Sequence, residues 1–372
     1  DVYINPTVLN IEGKRMSKTM GTGMDPLLLV DRYGADSLRF ALINRCTGEQ
    51  DLRFSEKMVE DTRNFANKIW NAARFVRMNL DDAPAPAVPP ARAALGLPER
   101  WILSRFGRCA LAVTQSLERF EFREVCQHLY DFVWSEFCDW YVEMAKLDLR
   151  EPIAPGHPAA TRAVLSWTLA ETMKLLHPIM PSLTEEIWQA LPHEGRTIMR
   201  ARWPEDAAGW IDPDAEARMT QVVDVVRAIR GIRADLGLPP GELVTVALFA
   251  PDEPRAVLES AARYLAPLAR VRDFGVHRES APRPSGALAT LCGAVEIALA
   301  LDSKEAAQAA RTRLQKQLAT VARDLASLDG RLQSRAFIEK APAEVVAADR
   351  HRRDELSARR ATLERYLGGL GR

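Results

Sequence analysis

Residues 13–26 read Gly-Lys-Arg-Met-Ser-Lys-Thr-Met-Gly-Thr-Gly-Met-Asp-Pro, so that cations, hydroxyl groups and glycines are gathered in one short segment. Glycine lets a loop change conformation and approach a ligand closely, and lysine ammonium groups neutralise phosphate oxygens. The composition therefore suits a phosphate-binding loop. In isolation it also suits an ordinary basic surface loop, and only the order of the residues separates these two interpretations.

That order resembles the KMSKS signature of the class I aminoacyl-tRNA synthetases, and the likeness continues downstream as far as Phe40. The resemblance implies a loop that closes over ATP, and it implies that the ATP is bound with Mg²⁺. It places Lys18 in the catalytic position, where the family's lysine stabilises the charge that develops on the leaving pyrophosphate. The sequence departs from the signature at Arg15 and Thr19, and Arg is not a free replacement for Lys. The implied ATP-binding residues are Arg15, Met16, Ser17, Lys18 and Thr19.

The residues around this loop form the end of an α/β unit. Residues 1–5 alternate as a β-strand does, and the apolar residues from Leu27 to Leu42 recur with a helical period. The resemblance identifies residues 1–50 as the C-terminal end of a Rossmann-type catalytic domain. Because the sequence starts within a strand and has no initiator Met, we expect a fragment that lacks the HIGH motif and the editing domain. Such a fragment should not aminoacylate alone.

A helical period runs from residue 55 to residue 188, and it predicts four or five long helices in a mainly α protein. Breaks at residues 81–98 and 151–158 are rich in proline, which disfavours helix. Segments such as Trp134–Glu143 resemble the bundle with which valine, isoleucine and leucine enzymes of the family read the anticodon. The resemblance implies a helical anticodon-binding domain at residues 51–210.

The region after this bundle mixes helix and strand. A helix is expected at residues 215–236, and strand-like segments follow at residues 244–249 and 294–299. These elements predict a small α/β junction module at residues 211–303.

The first long helix of the bundle has an apolar face and a polar face. At 100° per residue the apolar face consists of Phe65, Ile69, Ala73, Val76 and Leu80. Amides and a guanidinium group can read the edges of unstacked bases, a ring can stack on a base, and a lysine can hold phosphate. Alternatively, the asparagines pair with a neighbouring helix and the ring packs there. The predicted anticodon contacts on the polar face and its flanks are Asn64, Asn67, Lys68, Asn71, Arg74 and Phe75.

Aromatic residues are dense between residues 134 and 141, at spacings of three, four and one. The members are Trp134, Phe137, Trp140 and Tyr141. Helical spacing of this kind is more typical of a core than of a nucleotide platform. His177, which precedes a proline, is also expected to be structural.

The last segment, residues 304–372, carries a leucine pattern with alternating steps of four and three from Leu314 to Leu332, as in a coiled coil. A break at Phe337–Pro342 turns the chain back, so an antiparallel helical hairpin is expected. It resembles the arm of the valine enzymes, which isoleucine and leucine enzymes typically lack. The resemblance implies that exposed cations contact tRNA phosphates, although a hairpin could instead form a dimer. The candidate tRNA arm contacts are Arg311, Arg313, Lys316, Arg323, Arg352, Arg353, Arg359 and Arg360.

Charge is distributed unevenly along a chain whose net charge is zero. Residues 304–372 hold 15 Lys and Arg against 9 Asp and Glu, so the arm is basic and the rest is acidic. A basic arm that meets a polyanion and a solvated helical face both produce this pattern.

Five cysteines without a CxxC pair support neither a zinc site nor a disulfide framework, so no metal is predicted. The amino terminus lacks a signal-peptide pattern, no apolar run is long enough for a bilayer, and a cytoplasmic protein is expected.

Three functions are consistent with these features. The first is the tRNA-binding part of a valine-specific synthetase, with tRNA(Val) as partner, ATP and valine as substrates of the parent enzyme, and a monomeric state. An isoleucine or leucine enzyme is the second, and the basic hairpin disfavours it. The third is a separate tRNA-binding protein without catalysis.

Overall fold

The computed structural model describes residues 6–16, 23–46, 51–80, 89–152, 154, 156–239, 241–284, 286–301 and 304–369, without the side chains of residues 304 and 336. The predicted strand at residues 1–5 lies outside these ranges. So do Ser17, Lys18 and Thr19 of the predicted ATP-binding loop. The chain divides into two compact units, Asp1–Met219 and Thr220–Arg372.

The first unit begins with two short parallel strands, β1 (Val8–Leu9) and β2 (Leu52–Arg53). Between them lie helices α1 (Pro26–Tyr33) and α2 (Ala35–Ile43). The helical period predicted from Leu27 to Leu42 is confirmed, and two helices share it. They are separated at Gly34, whose φ of 85° lies in the left-handed range that favours glycine.

Five helical segments then build a bundle, as the helical period predicted. They are α3 (Glu56–Asn79), α4 (Leu97–Glu118), a continuous helix from residue 122 to residue 150, α7 (His157–Leu176) and α8 (Pro181–Gln189). The continuous helix consists of α5 (Phe122–Tyr130), a wider π-helical segment (Asp131–Tyr141) and α6 (Val142–Arg150). Helix α7 is buried on most of its circumference, which makes it the central helix of the bundle.

The core of the bundle contains the aromatic residues that the sequence assigned to it. Phe137, Trp140 and Tyr141 are buried, whereas Trp134 is half-buried and stacks on Tyr130 with 5.5 Å between the ring centroids. His177 also has a structural contact, because its Nδ1 lies 2.7 Å from the Thr184 hydroxyl oxygen.

Short 3₁₀ turns, Arg92–Ala94, Ile198–Arg200 and Glu205–Trp210, lie between the longer elements of this unit. The next helix, α9 (Pro213–Leu236), contains the boundary between the two units.

The second unit contains a four-stranded sheet with the order β4-β3-β6-β5. Its strands are β3 (Val244–Ala250), β4 (Val271–Arg278), β5 (Leu288–Cys292) and β6 (Val295–Ala300). Strands β3 and β4 are parallel and are connected through α10 (Asp252–Ser260) and α11 (Ala262–Ala269), as a parallel pair requires. The other pairs are antiparallel. The sequence predicted β3 and β6 but missed β4 and β5.

The chain ends in a long helical hairpin made of α12 (Lys304–Gln333), the short α13 (Arg335–Lys340) and α14 (Ala343–Gly369). Arg331 pairs with Asp349, and Arg359 contacts Gln317, so the two long helices are antiparallel as expected. The predicted break at Phe337–Pro342 is partly helical, since most of it belongs to α13. None of the helices in the described ranges combines the length and the apolar character that a membrane span requires.

Candidate nucleic-acid interface

The described part of the glycine-rich loop is held by a tight turn at its start. The Asn10 side chain accepts hydrogen bonds from the backbone N–H groups of Glu12 (3.1 Å) and Lys14 (2.9 Å). Gly13 takes a φ of 79° within this turn. Arg15 then pairs back onto β1 through a bridge to Leu9, and its side chain is exposed. The turn therefore directs an exposed cation into the start of the loop.

Met16 anchors the loop to the molecule. Its half-buried side chain packs against a cluster of buried apolar residues that includes Leu29, Leu38 and Phe54. Farther along, Asp25 caps α1 by accepting a hydrogen bond from the Leu27 N–H at 2.9 Å. Of the predicted ATP-binding residues, the structure thus places Arg15 at the surface and Met16 against a core.

Helix α2 ties this region to the bundle within the same unit. The Arg39 guanidinium donates hydrogen bonds to the carbonyl oxygens of Ile179 (2.9 Å) and Pro178 (3.0 Å). The buried Asp36 carboxylate accepts one from the Leu183 N–H at 2.5 Å. Charge-assisted bonds of this kind are stronger than neutral ones, so they fix the position of α2 relative to the bundle.

The polar face of α3 lies at the surface, as predicted. Phe65, Ile69, Ala73 and Val76 are buried on the opposite side. The polar residues Asn64, Asn67, Asn71 and Arg74 are exposed. In the described part of the chain, the three amides make no side-chain hydrogen bond to a neighbouring helix, so their donors and acceptors face solvent.

Lys68 differs from its neighbours, because its charge is already engaged. Its ammonium group lies 2.5 Å from a carboxylate oxygen of Asp139 and 3.7 Å from the centroid of the Trp134 ring. Only 24% of the side chain is exposed. An ammonium held by a carboxylate and an aromatic face is poorly placed to neutralise a phosphate.

Phe75 is half-buried at the edge of the polar face. The Lys146 ammonium lies 5.6 Å from its ring centroid, and the Asn79 amide donates a hydrogen bond to its carbonyl oxygen at 2.8 Å. Part of the ring therefore remains accessible for stacking.

The structure adds an aromatic residue that the sequence analysis missed. The Trp70 side chain is 41% exposed, and with Arg74 and Arg77 it borders a groove of about 70 Å³ between α3 and α8. Trp70 precedes these arginines by four and seven residues, a helical spacing that could have identified it.

Most of the predicted arm cations lie at the surface of the hairpin. Arg313, Lys316, Arg323, Arg352 and Arg360 are exposed, whereas Arg311 and Arg353 are half-exposed. Arg353 pairs with the adjacent Asp354 at 2.6 Å, and Arg360 pairs with Glu364 at 2.8 Å. Exposed ion pairs contribute little stabilisation, so these carboxylates hold the two guanidinium groups weakly.

Arg359 is the exception among these cations. It forms a two-pronged ion pair with Asp235 at the end of α9, and one of the two bonds measures 2.7 Å. It also donates to the Gln317 side-chain oxygen at 3.1 Å. This side chain connects α14 with α9 and α12.

The bundle also brings together a buried acidic cluster that the sequence gave no reason to expect. One ligand-type atom from each of Glu99, Asp148 and His157 lies within 4.8 Å of the others. The Thr161 hydroxyl donates a hydrogen bond to Glu99 at 2.9 Å. An imidazole and two carboxylates are donors that could hold a divalent ion. They are 49 and 9 residues apart in sequence, a spacing that matches no metal motif.

The cysteine thiols of the bundle are made unreactive by burial. Cys109, Cys126 and Cys138 are buried thiols, and all five cysteines of the chain are unpaired. Burial raises the pKa of Cys138 to about 12. Such thiols stay protonated and unreactive at neutral pH.

Three family models match separate parts of the chain. The model of "tRNA synthetases class I (I, L, M and V)" matches residues 1–55. "Anticodon-binding domain of tRNA ligase" matches residues 99–248, and "Valyl tRNA synthetase tRNA binding arm" matches residues 307–371.

Similar whole sequences point to the same enzyme. "Valine--tRNA ligase" of Carboxydothermus hydrogenoformans is 39% identical over 100% of this chain and 42% of the relative. "Valine--tRNA ligase" of Bacillus subtilis (strain 168) is 36% identical with the same two shares. A solved leucyl-tRNA synthetase complex from Agrobacterium radiobacter K84 has a TM-score of 0.46 at 16% identity, over 68% of this chain and 26% of that one. The chain thus spans about two fifths of the length of the ligases that it matches.

Proposed function

Because this chain belongs to the valine group of the class I tRNA synthetases, we propose that it binds tRNA(Val) for the ATP-dependent attachment of valine. The observation that carries this proposal is the match to the ligases over the whole chain, together with the arm that is named for valine enzymes. The chain corresponds to the carboxyl-terminal part of these ligases and contains only a small piece of the catalytic domain.

The proposed binding surface has two parts. On the bundle, the exposed amides of Asn64, Asn67 and Asn71 read base edges, and Arg74 and Phe75 provide charge and stacking. Lys68 contributes less, because Asp139 and Trp134 already hold its ammonium group. On the hairpin, the exposed cations contact phosphates without reading sequence. We propose that the bundle supplies specificity and that the arm supplies much of the affinity.

The proposed catalytic contribution is Lys18, which stabilises the charge that develops on pyrophosphate as valine attacks the α-phosphate of ATP. Arg15, Met16, Ser17 and Thr19 complete the ATP-binding loop. The exposed side chain of Arg15 and the packing of Met16 against a buried apolar cluster support the assignment of these two residues to the start of the ATP-binding loop. Mg²⁺ would accompany ATP and neutralise the phosphates that this loop approaches.

The proposed organisation follows the sequence analysis, with domains at residues 1–50, 51–210, 211–303 and 304–372. A monomeric protein that works in the cytoplasm completes the proposal.

The test is binding of the purified chain to valine, isoleucine and leucine tRNAs at two salt concentrations. The matched control is a valine tRNA transcript whose anticodon has been replaced by that of another tRNA. We expect a preference for valine tRNA that weakens with salt and disappears when the anticodon is swapped. Equal, weak binding to all four RNAs would overturn the assignment of recognition to this chain.

A further inference from the structure

Both long helices of the arm form hydrogen bonds to one residue near the end of α9, Asp235. Its carboxylate accepts both hydrogen bonds of the Arg359 guanidinium from α14. Its backbone carbonyl accepts a hydrogen bond from the Gln317 side chain of α12 at 2.9 Å. Gln317 and Arg359 are themselves joined at 3.1 Å. We call these three residues the root clamp.

The root clamp is placed where the arm leaves the rest of its unit. Just below it, Leu314 and Leu363 are fully buried, and Tyr366 hydrogen-bonds Thr290 of β5. Beyond it, Leu318 and Val321 are partly buried and Leu325 and Leu328 are buried, and α14 is the helix against which α12 mainly packs. Among the described residues, the clamp and the neighbouring contact with β5 thus join the base of the hairpin to the rest of its unit.

The backbone near Asp235 is held in place by hydrogen bonds to neighbouring segments. Two residues earlier, the buried Arg233 guanidinium donates hydrogen bonds to the carbonyl oxygens of Arg270 (3.1 Å), Pro239 (3.2 Å) and Glu242 (2.6 Å). These bonds join the end of α9 to the segment that leads into β3 and to the residue that precedes β4. Because Asp235 cannot follow a movement of the arm, a tilt of the hairpin must break the clamp.

A small tilt at the root becomes a large displacement at the tip. Helix α12 continues from Gln317 to its end at Gln333, which is ~24 Å at 1.5 Å per residue. A tilt of ~10° at the root would move the tip by ~4 Å, which exceeds a hydrogen-bond length. Cations on the hairpin would then miss the phosphates that they contact.

We propose that Asp235, Arg359 and Gln317 are positioning residues that set the direction of the arm for tRNA. This inference rests on the proposed function of the hairpin. It reassigns Arg359, since a guanidinium whose prongs are both held by a carboxylate is 37% exposed but not available to RNA.

The variant Asp235→Asn distinguishes two alternative roles of Arg359, direct contact with phosphate and positioning of the arm. If Arg359 were a phosphate contact, removing its acidic partner would free a cation and tighten tRNA binding. With a positioning role, the same change weakens binding, roughly tenfold, although it makes the protein more positive. Arg359→Gln should have the same effect, and the two changes together should cost little more than either one. The matched comparison is Arg360→Gln, which removes an exposed neighbour and lowers the salt slope by about one.

The direction of the arm is measured without tRNA. Spin labels at Lys340 near the hairpin tip and at Glu253 on α10, introduced through non-natural residues, report the distance across the unit. We expect one narrow distance distribution in the wild-type protein and a broad one in Asp235→Asn and Arg359→Gln. The exchanged pair Asp235→Arg with Arg359→Asp should narrow the distribution again and recover tRNA binding.

Unchanged distributions, or tighter tRNA binding by Asp235→Asn, would overturn the proposal. If the wild-type chain fails to bind tRNA at all, the proposed function falls, and the distance measurement still decides whether the clamp sets the arm. A variant too unstable for labelling is replaced by Arg359→Lys, which keeps the charge but loses one prong.

Discussion

The immediate neighbours of a cation decide whether its charge is available to a ligand. Lys68 and Arg74 lie on adjacent turns of α3, but Lys68 is held by Asp139 and Trp134, whereas Arg74 is exposed. Arg359 and Arg360 are consecutive, yet the first bridges three helices and the second pairs only along its own helix. Equal side chains in one pattern therefore have different roles, which the pattern alone does not show.

Replacement of Asn67 tests base reading by a single amide. Asn67→Ala should weaken binding of valine tRNA by about tenfold, the value of one well-placed hydrogen bond. Thermal stability should change by less than about 0.5 kcal/mol, because the side chain is exposed. Fluorescence titration and a thermal melt measure both, and Gln115→Ala on α4 is the exposed control. A melting temperature that falls steeply would identify Asn67 as structural.

Glu216 predicts how the first unit responds to acid. Burial raises the pKa of Glu216, but hydrogen bonds from Arg108 and Ser104 outweigh it and hold the pKa below its usual range. The stabilisation is therefore complete above the unfolded value of 4.5 and is lost as the pH falls through the lower folded pKa.

Glu216→Gln should lower the melting temperature at pH 7 by an amount that corresponds to about 1–3 kcal/mol. The difference in melting temperature between this variant and the wild type should become smaller as the pH is lowered below 4.5. Calorimetry between pH 3 and pH 7 measures this, with the exposed Glu118→Gln as control. A constant difference at every pH would contradict the assignment.

At the scale of elements, the ends of helices fix the architecture. Helix α9 stops at Gly237, whose φ of 72° is unfavourable for other residues. The Leu238 N–H bonds back to the Arg233 carbonyl at 3.0 Å, which closes the helix end. A Cβ atom at Gly237 would also meet the guanidinium of Arg313, but this exposed, flexible side chain can move aside at little cost. This glycine is therefore required mainly by the positive φ of the turn that leads into β3.

Two glycines, one within α9 and one directly after it, provide a matched pair. Gly237→Ala should destabilise the second unit by about 1–2 kcal/mol, because an L side chain is strained at its positive φ. Gly231→Ala lies within the helix, where an added Cβ meets nothing within 4 Å, and should stabilise by up to about 1 kcal/mol. Denaturant melts monitored by circular dichroism compare them. Shifts of the same sign would show that the positive φ carries no cost.

At the scale of the whole molecule, charge is separated along the sequence although the total is zero. The basic surface is concentrated on the hairpin, whereas the amide face lies on the bundle. Substitutions on the hairpin should consequently alter the salt-dependent affinity for tRNA. Substitutions on the amide face of the bundle should alter the specificity for the anticodon.

Arg352→Gln tests this separation. Removing one exposed arm cation should reduce the slope of log K against log salt by about one and leave the preference for valine tRNA intact. Lys68→Gln should leave the slope unchanged, since its ammonium already pairs with Asp139. Nitrocellulose filter binding at four salt concentrations provides the slopes. An unchanged slope for Arg352→Gln would remove this residue from the interface.

The sequence by itself determined the elements whose signal is periodic or ordered. The apolar face of α3, the aromatic core and the coiled-coil hairpin follow from side-chain spacing, because a helix brings residues three and four apart together. The glycine-rich loop was identified from the order of its residues, and the family followed from it. Strands β4 and β5 escaped, since Val271–Arg278 is rich in charged residues at a sheet edge and Leu288–Cys292 is only five residues long.

Only the tertiary structure decided which polar side chains are exposed and which are engaged in ion pairs. Lys68 meets Asp139 across 71 positions, and Arg359 meets Asp235 across 124. Trp70 borders its groove because α8 packs beside α3. Ion pairs between distant segments depend on how helices pack, and local spacing holds no record of that packing. The sequence therefore supplied the candidates, and the packing of the helices decided which of them face the solvent and which hold the fold.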